Sequence, residues 1–222
     1  MTPLEPDYYF DLASFSHRQI FESGERDGDA ISLLSVIAAI ARLEIYTQKN
    51  LQPQILGIVM DGARVEKNVF IDEGTVIQPG AWVVGPSIIG KNCEIRHSAY
   101  VGANTLLGDN VVIGHASEVS HSIFLNGSRA AHFAFVGHSI LGNNVNLGAG
   151  VKLANYKLDG SEIKIDGVST ELNKFGAIIG DNSSLGCNAV TQPGTLIGPR
   201  VRAYPLTLLR GFLPADSVIK KI

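Results

Sequence analysis

Residues 83–125 read VVGPSI-IGKNCE-IRHSAY-VGANTL-LGDNVV-IGHASE-VSHSIF-L, and an aliphatic residue opens every group of six. The same step extends back through the preceding chain, so that every sixth residue from Val59 to Leu125 is Val, Ile or Leu. A helix repeats every 3.6 residues and a strand every two, so neither predicts a step of six. A period of six is typical of a parallel β-helix, in which short strands alternate with corners. The aliphatic side chains are predicted to fill its interior.

The step of six loosens after Leu125 but does not disappear. Its next members are Ala131, Val136, Leu141, Leu147 and Leu153. An excursion at residues 157–174 interrupts the step, and the segment EIKIDG at residues 162–167 predicts a β-hairpin there. The step then resumes and ends near residue 205. With three steps in a coil, the β-helix is predicted to span residues 57–205 in about seven to eight coils.

Both ends of the chain lack the six-residue step. The sequence of residues 1–56 predicts a short helix at 15–23, a turn at 24–28 and a longer helix that begins at the N-cap Asp29 and ends at about residue 48. Leu33, Leu34, Ile37 and Ile40 give the longer helix an apolar face. We predict that this helical segment caps the open end of the β-helix, with a partner-binding or gating role as the alternative. Residues 206–222 are predicted to form a tail, with a helical turn at 206–210 and a final strand at 218–222.

Charge and composition narrow the functional class. The net charge is -3 and only 18% of residues are charged, so the chain lacks the basic surface that nucleic-acid binding requires. The apolar run at residues 30–43 is too short to span a bilayer, and the N-terminus does not resemble a signal peptide. Cys93 and Cys187 are isolated, which indicates free thiols. We therefore expect a cytoplasmic protein with no membrane or nucleic-acid partner.

The repeat of an aliphatic residue followed by Gly resembles the left-handed hexapeptide β-helix superfamily of acyl- and acetyltransferases. Three segments resemble the acetyltransferase domain of bifunctional sugar-1-phosphate nucleotidylyltransferase/acetyltransferases: GHASE at 114–118, SRAAHF at 128–133 and GNNVNLGAG at 142–150. ANY at 154–156 and KFGAIIGD at 174–181 extend the resemblance, which covers roughly residues 60–200. It implies a left-handed, mainly β fold and a homotrimer with sites between neighbouring subunits. No Gly-rich nucleotide loop precedes the repeats, so uridylyl transfer is not expected.

The resemblance also implies roles for individual residues. Acyl transfer needs a base that removes a proton from the acceptor, and histidine is the natural choice. Among six histidines, His132 matches the family's catalytic histidine, and it follows the point where the step of six shortens to five. The resemblance places Asn146, Asn155, Tyr156 and Lys174 at the sugar acceptor. It places Ala149 and Cys187 along the groove for acetyl-CoA or acyl-CoA, the expected co-substrate, and the excursion at 157–174 either closes this groove or is a simple loop.

Three positions depart from the family's pattern. Gly102 and Ser120 stand where the family has an arginine and a lysine, and Phe135 stands where it has a tyrosine near the acceptor. Losing two cations removes a phosphate clamp, and losing the phenol removes a hydrogen-bond donor. These changes argue against glucosamine-1-phosphate as the acceptor. A different amino sugar, a nucleotide sugar bound otherwise, or a loss of activity are all open.

Three functional hypotheses follow. The first is a CoA-dependent acetyl- or acyltransferase acting on an amino sugar, sugar phosphate or nucleotide sugar, with no metal. The second is a non-catalytic trimeric scaffold or ligand-binding protein. The third is a metalloenzyme of the carbonic-anhydrase kind on the same type of fold, with His115, His121 and either His132 or His138 as zinc ligands.

Overall fold

The chain folds as a three-sided prism of short parallel strands. A computed structural model describes residues 2–22 and 36–220. Successive strands go to successive sides, so the hydrogen-bonded neighbour of each strand lies one full coil away along the chain. We number the sides face 1, face 2 and face 3 in the order in which the chain reaches them.

Each face is one parallel sheet. Face 1 consists of Gln54–Ile55, Val69–Ile71, Ser87–Ile89, Thr105–Leu107, Ile123–Phe124, Ile140–Leu141, Ala177–Ile179, Thr195–Ile197 and Phe212–Leu213. Face 2 consists of Ile58–Val59, Val76–Ile77, Glu94–Ile95, Val112–His115, Arg129–His132, Asn146–Leu147, Ser184–Leu185, Arg202–Ala203 and Val218–Ile219. Face 3 consists of Arg64–Val65, Trp82–Val83, Tyr100–Val101, Glu118–Ser120, Phe135–Gly137, Lys152–Leu153, Val190–Thr191 and Leu208–Leu209.

The β-helix is longer than its sequence pattern predicts. Faces 1 and 2 each contain nine strands, so the prism has about nine coils rather than seven or eight. At about 4.8 Å between strands it is roughly 40 Å long. The predicted tail at 206–222 instead contributes the strands Leu208–Leu209, Phe212–Leu213 and Val218–Ile219, and the helical turn predicted at 206–210 is absent from the structure. The six-residue step fails there because Leu209 and Leu213, both packed on the interior, lie only four residues apart.

The aliphatic residues of the six-residue step fill the interior of the prism as predicted, except around Leu125, where the predicted series is shifted by one residue. Leu107 pairs with Phe124, and Ile113 pairs with Ala130, so Phe124 and Ala130 point inward. Leu125 and Ala131, which the six-residue step predicts to be interior, each lie one residue after the interior residue. Leu125 is fully buried, but it belongs to a second apolar cluster outside the prism. Burial from two sides made the sequence pattern ambiguous at this point.

The N-terminal segment lies along face 1 and not on the end of the prism. It contains helix α1 (Pro6–Tyr9), a 3-10 turn (Arg18–Ile20) and helix α2 (Val36–Asn50). Its buried residues form a cluster with outward-facing side chains of face 1, including Ile88, Leu106, Ile123, Ile140, Ile178 and Leu196. At the first coil, Ile55 and Ile58 remain 50% and 60% exposed. The N-terminal segment therefore covers face 1 and is not the predicted end cap. Face 1 alone has an apolar outer surface of this extent.

The helix predictions agree with the structure in part. Ile37 and Ile40 of α2 are buried as expected, together with Leu43. The helix predicted at 15–23 is reduced to the single 3-10 turn. The turn at 24–28, the N-cap Asp29 and the apolar residues Leu33 and Leu34 lie outside the described residues. None of the helices in the described ranges has the length and apolar character that crossing a bilayer requires.

The excursion forms the predicted hairpin. Lys164–Ile165 pairs antiparallel with Val168–Ser169, and the two turn residues Asp166 and Gly167 both have positive φ. The hairpin packs onto face 1 through the buried Ile163, beside the N-terminal segment, and Asp166 accepts a hydrogen bond from the backbone N–H of Thr2 at 2.8 Å. The hairpin therefore folds back on its own prism.

Candidate functional site

Five residues form a ladder along the corner between faces 2 and 3, which we call the 2/3 corner. They are His97, His115, His132, Ala149 and Cys187. Backbone hydrogen bonds link consecutive members of this ladder. Phe133, which follows His132, donates its N–H to the carbonyl of His115 on the preceding coil. Gly150, which follows Ala149, donates its N–H to the carbonyl of His132 in the same way. His115 and His132 are also strand partners at the end of face 2. Residues far apart in sequence thus share one edge of the prism.

His132 lies at the centre of this ladder, and its side chain is exposed. On its N-terminal side, the His97 and His115 rings stack with centroids 4.1 Å apart, and the Phe133 and His115 rings make a T-shaped contact with centroids 4.9 Å apart. On its C-terminal side, the following coils carry the small residue Ala149 and the exposed Cys187. The exposed imidazole of His132 therefore lies between a part of the corner with aromatic side chains and a part with small side chains.

Two other histidines lie at the corner between faces 3 and 1, the 3/1 corner. The rings of His121 and His138 stack with centroids 4.5 Å apart and an interplanar angle of 14°. His121 Nε2 lies 3.2 Å from the carbonyl oxygen of Ile40 in α2, so this nitrogen carries the proton and donates it. His138 Nδ1 lies 3.0 Å from Asn155 Nδ2, and the amide NH₂ must be the donor, which leaves the proton of His138 on Nε2. Both rings are thus held by hydrogen bonds.

Burial keeps these two imidazoles neutral. Desolvation lowers the pKa of His138 to about 4, and the neighbouring His121 and Lys174 add to the shift. Desolvation also lowers the pKa of His121, although the Ile40 carbonyl and Glu44 oppose the shift. Both rings therefore stay uncharged near neutral pH, which suits a fixed hydrogen-bonding role.

Three of the four predicted acceptor residues come together at the 3/1 corner. The Asn155 side chain lies against the preceding coil, where it donates its hydrogen bond to His138. Tyr156 forms an antiparallel bridge with Lys174 across the base of the excursion. Tyr156 is 52% exposed, and Lys174 is also exposed. Within the described part of the chain, no carboxylate forms an ion pair with Lys174. The result is an amide, a phenol and a free ammonium at one edge.

The structure does not bring these residues to His132 within one chain. His132 lies at one edge of face 3 and the Asn155 group lies at the other, roughly 15 Å or more apart for a six-residue traverse. Asn146 stands apart from both groups, exposed on the outside of face 2 between Arg129 and Ser184. The shortened steps also belong to the 3/1 corner: Val119 to Phe124 and Val136 to Leu141 each span five residues and enclose His121 and His138. The shortened step is therefore no signal for His132.

Comparison with known proteins shows which proteins the chain resembles. The family described as the GMPPB C-terminal domain matches residues 83–174. A bifunctional sugar-1-phosphate nucleotidylyltransferase/acetyltransferase of Sulfurisphaera tokodaii is 36% identical over 156 residues, which are 68% of this chain and 39% of that protein. A bifunctional protein GlmU of Methanococcus aeolicus is 31% identical over 177 residues, 78% of this chain and 43% of that protein. The chain spans about two fifths of the length of these relatives.

A solved structure shows the same architecture. The UDP-N-acetylglucosamine acyltransferase of Campylobacter jejuni superposes with a TM-score of 0.53 at 15% identity, covering 71% of this chain and 69% of that one. The chain is a left-handed hexapeptide-repeat β-helix. The resemblance inferred from the repeat and the GNNVNLGAG segment is thereby confirmed.

The positions that depart from the superfamily pattern lie on face 3, between the two histidine corners. A Cβ atom built on Gly102 would lie 2.8 Å from the Cβ of Ser120, so these neighbouring coils approach too closely for a larger residue at 102. Phe135 is half-buried between Glu118 and Lys152, its strand partners. Face 3 thus offers no cation at 102 or 120.

Two observations go beyond the sequence predictions. The His121–His138 pair lies beside Asn155, and its only signal in the sequence is the step of five that encloses each histidine. The zinc site predicted at His115, His121 and His132 or His138 is not formed. His115 and His132 lie at the 2/3 corner, whereas His121 and His138 lie at the 3/1 corner. Among the described residues, no three His, Cys, Asp or Glu side chains are grouped so as to hold a metal ion.

Proposed function

We propose that this chain is a CoA-dependent acetyl- or acyltransferase that acts on an amino sugar, a sugar phosphate or a nucleotide sugar. The observation that carries the proposal is the 2/3 ladder, in which the exposed His132 is followed on successive coils by Ala149 and Cys187. A base and a row of small side chains on one open edge suit a thioester at the end of a slender pantetheine arm. The relatives named as acetyltransferases support the same reaction class.

In this reaction His132 acts as the general base. Its imidazole removes a proton from the acceptor amine or hydroxyl, whose nitrogen or oxygen attacks the thioester carbonyl carbon. The new C–N or C–O bond forms, the C–S bond breaks, and the CoA sulfur leaves. The proton on His132 then passes to that sulfur, so CoA departs as the thiol and the base is regenerated. No metal takes part in these steps.

The acceptor residues belong to a neighbouring subunit in this proposal. Because His132 and the group formed by Asn155, Tyr156 and Lys174 lie at opposite edges of face 3, one chain does not assemble a complete site. In a trimer of parallel prisms, the 2/3 corner of one subunit meets the 3/1 corner of the next. Lys174, which no described carboxylate pairs, then faces the phosphate of the acceptor.

Complementation between two inactive variants tests both the reaction and the assembly. His132→Ala and Asn155→Ala are each expected to lose turnover of acetyl-CoA with an amino-sugar acceptor. Random mixed trimers should regain about a quarter of the sites, because one neighbour supplies His132 and the other supplies Asn155. Mixing that restores no activity would contradict a shared site. Wild-type protein that turns over no amino-sugar acceptor would contradict the transferase function.

A non-catalytic ligand-binding trimer is the second candidate. The specific observation in its favour is the loss of cations at Gly102 and Ser120 together with the phenol replaced by Phe135. It predicts a folded trimer that shows neither turnover nor detectable binding of acetyl-CoA. Calorimetry with acetyl-CoA separates the two, because the transferase requires its co-substrate to bind at the 2/3 corner while a scaffold does not.

A further inference from the structure

Phe133 adopts a backbone conformation that bulky side chains seldom take. Its φ is +50°, in the left-handed region, and its side chain is 55% exposed. The equivalent corner position on the next coil is Gly150, which takes positive φ without cost, and on the preceding coil it is Ala116. A bulky residue with positive φ is a conformational outlier. Neither the corner nor the interior therefore calls for a phenylalanine here.

The exposed ring extends an aromatic surface beside His132. Phe133 makes a T-shaped contact with His115, which stacks in turn on the exposed His97. Within the described residues, the buried Nδ1 of His115 has no hydrogen-bond partner, so this ring serves for packing rather than in a polar network. The three rings form a continuous wall on the N-terminal side of the proposed base.

The two sides of His132 therefore differ in the ligands they can accept. On the C-terminal side, the ladder continues with the small side chain of Ala149 and the exposed Cys187, which suits a narrow flexible chain. On the N-terminal side, the aromatic wall is broad and rigid, and such a surface suits the C–H groups on one face of a pyranose ring. With the pantetheine arm along Ala149 and Cys187, the thioester carbonyl reaches His132 from the C-terminal side, which leaves the aromatic side for the acceptor. The wall is thus on the acceptor's side.

We infer that Phe133 is a specificity-determining residue that binds the pyranose ring of the acceptor through the exposed face of its aromatic ring. This inference rests on the proposed transferase function for the identity of the ligand. It adds an apolar contact to the acceptor site, which otherwise consists of the polar residues at the 3/1 corner. The conformational strain at residue 133 is retained because the contact requires an aromatic side chain there.

Four variants test the inference. Phe133→Leu keeps an apolar side chain but loses the ring, so the acceptor KM is expected to rise about five- to tenfold. The KM for acetyl-CoA and the kcat should stay within about twofold of wild type. Phe133→Tyr retains the ring and should restore the acceptor KM. Phe133→Gly relieves the positive φ and should not lower the thermal midpoint, while it raises the acceptor KM as Phe133→Leu does.

The matched control is Leu206→Gly, at the same corner position with φ of +62° and 58% exposure, at the far end of the prism. It should show the same thermal response with an unchanged acceptor KM. An unchanged acceptor KM in Phe133→Leu, or a rise in the acetyl-CoA KM instead, overturns the inference and leaves the transferase function standing. Conversely, glucosamine that shifts the Phe133 ring signals in an NMR titration, with no turnover of acetyl-CoA, supports the contact and refutes the transferase.

Discussion

Two corners of the prism carry histidines, and they differ in how their rings are held. At the 2/3 corner His132 is exposed, and among the described residues no hydrogen bond fixes its imidazole. At the 3/1 corner His121 and His138 are stacked, desolvated and hydrogen-bonded to Ile40 and Asn155. A general base must exchange protons with a substrate and must therefore be reachable, whereas a ring of lowered pKa is suited to hold a neighbour in place. The comparison supports the proposal that His132 is the base and that the second corner positions the acceptor.

The largest effect is expected from His132. His132→Ala should lower kcat by about 100-fold or more, since general-base catalysis contributes that much in typical enzymes. Steady-state kinetics with acetyl-CoA and a panel of amino-sugar acceptors measure the loss. Because the His132 side chain is exposed, circular dichroism and the thermal midpoint should be unchanged. Should His138→Ala lose as much kcat as His132→Ala, the division of roles between the corners would be wrong.

The stability of the protein should decrease between neutral and mildly acidic pH, and His138 should account for part of the loss. Its pKa is about 4 in the folded protein, below the ordinary value of 6.5, so the unfolded chain takes up the proton first as the pH falls. Stability conferred by this difference is fully present above pH 6.5 and is lost as the pH falls towards 4. Urea denaturation from pH 7 to pH 4 measures it.

The comparison variant for this pH dependence is His138→Gln, which cannot gain the charge. Its unfolding free energy should fall less steeply across the same range. His17 and His121, whose pKa values burial also lowers, contribute the slope that persists. Parallel slopes in the two proteins would show that His138 titrates normally and that Lys174 and His121 do not hold it neutral.

Removing the His138 ring should weaken both packing and acceptor binding. His138→Ala deletes the ring that stacks on His121 and accepts the Asn155 hydrogen bond, which we expect to cost about 1–2 kcal/mol of unfolding free energy. Since Asn155 then loses its orientation, the acceptor KM should rise several-fold while kcat changes little. His97→Ala, which removes an exposed stacked ring, provides the stability control and should cost less than about 0.5 kcal/mol.

The smallest effect concerns Cys187, and a second cysteine supplies the control. Cys187 is exposed on the 2/3 ladder, whereas Cys93 is buried and desolvation raises the pKa of its thiol to about 11. N-ethylmaleimide should therefore modify only Cys187 in the folded protein, and acetyl-CoA should slow the modification. Mass spectrometry of the labelled peptide checks this. Labelling unaffected by saturating acetyl-CoA would place the CoA groove elsewhere, although Cys187→Ala itself should alter kcat by less than about threefold.

Most of the fold is predictable because one physical rule generates it. Each coil must bury one aliphatic residue per face, and the sequence repeats that requirement in steps of six. The step is uninformative where a residue is buried from outside the prism, as at Leu125, and where the corner loses residues, as between Leu209 and Leu213. The position of the N-terminal segment was not predictable in this way, because its partner residues, such as Leu106 and Ile178, are scattered along most of the β-helix.

The candidate site is predictable only by resemblance. His132, Ala149 and Cys187 share a corner because the coils bring them there, and their spacings of 17 and 38 residues reveal this only once the inserted hairpin is known. The hydrogen bond between His138 and Asn155 depends on side-chain rotamers that no pattern encodes. The strain at Phe133 is likewise a property of the backbone and not of the sequence.

The N-terminal segment changes how the prism resists unfolding. A solenoid is stabilised by contacts between adjacent coils, so its ends can fray one coil at a time. Here a single apolar cluster joins the segment to strands from Phe70 in the second coil to Phe212 in the last. Hydrogen bonds from Asp11 and Asn143 to the Asp181 carboxylate fasten it midway. Opening any of these coils disturbs contacts shared with the others, and we expect amide exchange to report one cooperative unit rather than a gradient from end to end.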